Sequence, residues 1–149
     1  MGLKERFEED LKKAVREQDV LHRSVLRLIK SEVHNEEIAR QKPLDDDGVV
    51  GILSRQVRQR QESIVEFRKG KREDLVQREE AELSVLREYL PRQLTQDELA
   101  AFVQGVITET GARGLGDKGK VMRNLMPQIR GKAQGSEVEA VVSKLLDSL

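Results

Sequence analysis

The sequence predicts an all-α fold, and three observations carry that prediction. Apolar residues recur at three- and four-residue spacing through most of the chain. No stretch alternates with the two-residue period of a strand. Charged residues make up 36% and aromatics 3% of the composition, which suits helices packed along aliphatic seams. The expected architecture is an N-terminal helical bundle of longer helices over 1–91 and a small C-terminal three-helix domain over 95–149. At 149 residues the chain can bury roughly 70% of its unfolded surface, so it needs neither disulfide nor metal to fold.

Leu3, Phe7, Leu11, Ala14 and Val15 define a first helix to about Gln18. Asp19 caps a second, with Leu21, Val25, Leu28, Ile29 and Val33 on its inner face, and Pro43 bounds it. Asp45, Asp46 and Asp47 supply a cap and the right charge for a long third helix to Lys69. Its seam is Val50, Leu53, Val57, Ile64 and Phe67, with Arg60 expected to pack its stem at the seam's edge and send its head to water. Gly70 is expected to stop this helix. Leu75, Val76, Leu83, Leu86 and Leu90 make a fourth helix that ends before Pro91.

Pro91–Leu94 reads as the boundary between the two parts. Thr95-Gln96-Asp97-Glu98 then fits a capping box, and Leu99, Phe102, Val103, Val106 and Ile107 form the face of the helix it opens. Seven of the eleven glycines follow Pro91, so shorter helices with glycine turns are expected there. An amphipathic segment runs to Ile129. A basic, glycine-bracketed elbow follows (Arg130 to Gly135), and a last helix is expected to be capped by Ser136 with Glu139.

Composition excludes several function classes. There is no cysteine, hence no thiol catalysis, disulfide or cysteine-ligated zinc, which fits a cytoplasmic protein. Met1 to Asp10 carries charges of both signs with no apolar run, and no signal peptide or membrane span is expected. Basic and acidic residues number 27 each, so the chain is not a general polyanion binder. The charge is patterned instead. Arg113–Lys132 holds six basic residues against one acid, and Arg55–Arg72 holds seven against two.

Gly114 to Lys120 matches the G-x-x-x-x-G-K part of a phosphate-binding loop. Val121 stands where a Ser or Thr hydroxyl should hold magnesium, and no strand precedes it, so a turn into a helix is the better reading. His22 and His34 have no partner at metal-ligand spacing. Ser24, Ser31 and Ser63 lack a nucleophile elbow, and the acidic run around Glu79, Glu80 and Glu82 reads as a solvated face. No catalytic residue, metal or cofactor is predicted. A basic elbow leading into a helix N-terminus does suit phosphate, and Lys118, Lys120, Arg123, Arg130 and Lys132 are its candidate nucleic-acid-binding residues. With Phe7, Phe67 and Phe102 assigned to apolar faces, only Tyr89 remains, so backbone recognition of a folded RNA is expected rather than base stacking.

Several short motifs resemble one family. They are Leu26–Ser31, Arg58–Ser63, Arg72–Leu75, Tyr89–Leu94, Gly119-Lys120-Val121-Met122 and Gly131-Lys132-Ala133. Their order and spacing resemble the GatB/YqeY family: free-standing YqeY-like chains related to the tail of the B subunit of the glutamine-dependent aspartyl/glutamyl-tRNA amidotransferase. Gln134 stands where that family commonly has Asp or Asn, and Lys71 looks like an insertion. The resemblance implies an α-helical protein in two parts and a tRNA-contacting tail. It also implies that carbon–nitrogen ligase activity with glutamine as amide donor belongs to the whole complex and not to a chain of this length. Implied partners are tRNA and components of the amidotransferase or of aminoacyl-tRNA synthetases. The competing expectation is a helical protein-interaction module without RNA contact.

Overall fold

The computed structural model describes residues 2–149. Among them are seven α-helices and no strand: α1 (Leu3–Arg16), α2 (Val20–Arg40), α3 (Asp46–Lys69), α4 (Glu73–Arg87), α5 (Gln96–Thr110), α6 (Lys118–Ile129) and α7 (Gly135–Asp147). A short 3-10 turn, Leu115–Asp117, leads into α6. The chain divides into two compact units, Met1–Leu90 and Pro91–Leu149.

In the first unit α1 to α4 share one core built on Phe7, Val25, Leu26, Ile29, Leu53, Val76 and Leu86. Local chemistry sets the helix starts. The Asp19 carboxylate accepts from the His22 N–H at 3.1 Å, and Asp45 accepts from the Gly48 N–H at 2.9 Å. One expectation fails here. Leu28 is 40% exposed, while Leu26, left out of the predicted face, is fully buried. The stripe of α2 runs through Val25, Leu26, Ile29 and Val33, and Leu28 lies at its rim. Gly70 stops α3 as expected, with an ordinary φ of −82°, and the left-handed residue is the next one, Lys71, at φ 56°.

Arg60 is not an edge residue with a free head. Its Nη1 lies 3.1 Å from Glu79 and 2.8 Å from Glu82 on α4, and all three side chains are largely buried. The acidic run of α4 is therefore partly an internal ion-pair seam. Tyr89 is buried as well. Its hydroxyl donates to Asp10 at 2.6 Å, and its ring meets Phe7 edge to face at 5.0 Å. Burial, and then the hydrogen bond to Asp10, push the phenol well above its ordinary pKa, so it stays a neutral donor.

In the second unit α5, α6 and α7 enclose Leu99, Val103, Val106, Ile107, Val121, Leu125, Ile129, Val138, Val142 and Leu146. The capping box of α5 forms as expected, Thr95 Oγ1 accepting from the Glu98 N–H and Glu98 accepting from the Thr95 N–H. The cap expected from Ser136 and Glu139 does not. Helix α7 begins two residues earlier than that cap requires, at Gly135, with Gln134 as its N-cap and no side-chain cap.

Candidate nucleic-acid interface

The elbow between α6 and α7 is held by the segment that precedes α5. The Leu94 N–H donates to the Lys132 carbonyl at 2.8 Å, and Gln93 Nε2 donates to the Gly131 carbonyl at 2.7 Å and to the Pro91 carbonyl at 2.9 Å. Gly131 turns the chain at φ 77°, a left-handed conformation that other residues adopt at a cost. Pro91–Leu94 is thus more than a connector: it fixes the backbone that carries Lys132.

Helix α6 sorts the candidate cations. Val121, Leu125 and Ile129 face the core. Lys120, Arg123, Asn124 and Pro127, at spacings of three, four and seven, share the opposite, exposed face. Pro127 has no N–H to donate to the Arg123 carbonyl four residues back, so that carbonyl lacks its helical partner. Arg130 follows at the end of α6, and Lys132 is on the elbow; both are exposed. Among the described residues, none of Lys120, Arg123, Arg130 and Lys132 has a carboxylate within ion-pair distance.

Lys118 differs. Its Nζ donates to Glu139 on α7 at 2.7 Å, and that bond and charge hold the Glu139 carboxyl below its ordinary pKa. Positions 118, 121, 125 and 129 lie on one helical stripe, which turns Lys118 toward the packed side of α6, but its partner there is on α7 and is not given by that spacing. Glu139 does not cap α7, because the helix starts at Gly135 and leaves Glu139 beyond the capping position. The first turn of α7 keeps its free N–H groups and the positive end of its dipole beside Lys132.

Phe102 was assigned to the apolar face of α5, yet it is 39% exposed. It lines a cavity of about 410 Å³ with Arg92, Leu94, Glu98, Ala101 and Lys132. Arg92 grips Glu98 with two bonds, at 3.0 and 2.8 Å. That guanidinium, with the Thr95 N–H, holds the Glu98 carboxyl down to about 2. A second polar cluster, unforeseen from sequence, lies in the first unit. His22 Nε2 is 2.9 Å from Glu88, and its Nδ1 is 2.8 Å from Asp19, at the rim of an acidic cavity of about 280 Å³ that Tyr89 and Asp10 also line. Among the described residues no three His, Asp or Glu side chains gather as a metal site.

A family model described as Yqey-like protein matches residues 4–146. The chain belongs to the YqeY-like family. Curated relatives of this YqeY-like chain include "Altered inheritance of mitochondria protein 41, mitochondrial" of Lachancea thermotolerans, 37% identical over 69% of this chain and 57% of that protein. The protein of the same name in Pyrenophora tritici-repentis is 32% identical over 89% of this chain and 74% of its own length. The one in Kluyveromyces lactis is 36% identical over 69% and 57%. The YqeY-like chain thus spans little more than half the length of two of these relatives. Their names carry the word mitochondrial, so the cytoplasmic expectation is not established. No helix among the described residues is long and apolar enough to cross a membrane.

Proposed function

We propose that this chain is a tRNA-associated accessory module. Its second unit serves as the C-terminal three-helix domain, related to the tail of the tRNA amidotransferase B subunit, and its first unit as the N-terminal helical bundle. The observation that carries the reading is a set of four exposed cations without carboxylate partners among the described residues, Lys120 and Arg123 along α6 and Arg130 and Lys132 at the elbow that leads into the uncapped start of α7. Unpaired cations and free N–H groups are what a phosphate backbone seeks. The chemistry of amide transfer lies outside this reading, and amidotransferase or synthetase components are its proposed protein partners. The proposed compartment is the cytoplasm, although the same surface would serve in a mitochondrion.

Titration of labelled tRNA with the protein over a salt series tests the proposal. Each phosphate contact adds roughly 0.7–0.9 to the slope of log affinity against log salt. Lys120→Ala with Lys132→Ala is expected to lower the slope by about 1.5, the sum for two such contacts. Absence of tRNA retardation by the wild-type protein at low salt would sink the reading.

A further inference from the structure

Phe102 is out of keeping with the other aromatic side chains. Phe7 and Tyr89 are buried in the first unit, and Phe67 is half-buried against the same core. Phe102 instead leaves much of its ring in solvent, beside the small side chain of Ala101, in the cavity of about 410 Å³ that Lys132 and Arg92 also line. Lone exposed apolar residues are common and need no explanation. This one combines a partly exposed ring, room beside it, an unpaired cation and a guanidinium–carboxylate pair joined by two bonds. The elbow clamp from Gln93 and Leu94 fixes the backbone of Lys132, so the cation is presented from a rigid support.

We infer that this cavity takes an unstacked base of the bound RNA, with the base lying on Phe102 and its phosphate on Lys132. The inference rests on the RNA-binding reading above and revises the expectation that the chain lacks a stacking platform. A peptide is the poorer occupant. The apolar lining amounts to one ring, one leucine and one alanine, whereas four unpaired cations sit in the same unit, a setting for a polyanion. Glu98 does not repel the phosphate as a free carboxylate would, because Arg92 holds it with two bonds. Stacking supplies affinity without sequence reading, since every base has a π face.

The test compares two RNA hairpins with the same stem, one blunt and one with a four-nucleotide single-stranded 3′ overhang. Wild-type protein should prefer the overhang. Phe102→Ala should reduce that preference by between about 5-fold and 150-fold, the equivalent of the 1–3 kcal/mol typical of base–aromatic stacking. The salt slope should stay unchanged, because no phosphate contact is lost. Phe102 is 39% exposed and outside the core cluster of its unit, so Phe102→Ala is expected to fold, which circular dichroism checks, and Phe102→Tyr should restore the preference. Phe102→Trp provides an independent readout, since the chain has no tryptophan: its emission should be quenched by the overhang hairpin and not by the blunt one. If wild-type protein binds the hairpins and Phe102→Ala binds each of them as tightly as wild type does, with any overhang preference intact, the cavity does not take a base while the RNA reading survives. If wild-type protein binds neither hairpin nor tRNA, both readings fall.

Discussion

Gln56 is 2% exposed on α3, where it shares a buried face with Ile52, Leu53 and Val57. Neither amide atom has a hydrogen-bond partner among the described residues. An unpaired buried amide costs about 1–3 kcal/mol, whereas an apolar side chain of similar shape costs nothing of the kind. Arg60, one turn further along, shows the contrast, because its guanidinium meets two carboxylates. Gln56→Met is therefore expected to stabilise the first unit by about 1–2 kcal/mol. That is a rise in Tm of roughly 4–8 °C per kcal/mol for a unit of this size. Thermal denaturation followed by circular dichroism reads it. A Tm unchanged or lowered by the substitution would mean that the amide is satisfied in solution, and the packing argument would fail at this residue.

At the scale of the element, the start of α5 links stability to pH. The folded-state pKa of Glu98 is depressed to about 2 from an ordinary 4.5, first by Arg92 and then by the Thr95 N–H. A depressed carboxyl contributes stability that is fully present above its unfolded pKa and is lost as pH falls through the folded value. The window is therefore from about 4.5 down to about 2. Glu98→Gln keeps an acceptor for the Thr95 N–H but removes the charge, so its melting temperature should fall less steeply than that of wild type between pH 5 and pH 2.5. Parallel slopes for the two proteins would show that Arg92 gives Glu98 nothing in solution. The same start was legible in the sequence, because a capping box depends on residues three apart and on nothing distant. So were the Asp19 and Asp45 caps. What failed was whatever depended on a neighbouring element. Leu28 and Phe102 both lie at the rim of a stripe, and period alone does not say how far the neighbour extends over it. Ser136 and Glu139 carry a valid capping pattern, but α7 starts two residues earlier than that pattern requires, and Glu139 instead meets Lys118 on another helix. Of the candidate cations, the residue types were readable from sequence; the division between paired Lys118 and the unpaired four needed α6 and α7 side by side.

For the whole molecule the decisive fact is how charge is distributed. It sums to zero, and each unit is close to neutral: nineteen basic against twenty acidic residues in 1–90, and eight against seven in 91–149. A neutral molecule has no long-range pull on a polyanion, and at physiological salt fields between exposed charges fade within about 8 Å. Any RNA affinity must then come from cations that no carboxylate neutralises locally. Lys118 and Lys120 are two residues apart and of one type, and a sequence-level charge count treats them alike. The structure separates them, since Lys118 is engaged with Glu139 and Lys120 is unpaired on the exposed face of α6. Lys120→Ala should lower the log–log salt slope of tRNA binding by roughly 0.7–0.9, the value of one lost phosphate contact. Lys118→Ala should leave the slope within about 0.3 of wild type, because a lysine held by a carboxylate releases few counterions on binding. Its effect should be a modest loss of affinity at low salt from the freed Glu139 carboxylate, together with a rise of that carboxyl toward its ordinary pKa. Equal slope changes for the two variants would show that RNA senses total charge rather than this arrangement, and would remove the geometric basis for assigning the interface to α6 and the elbow.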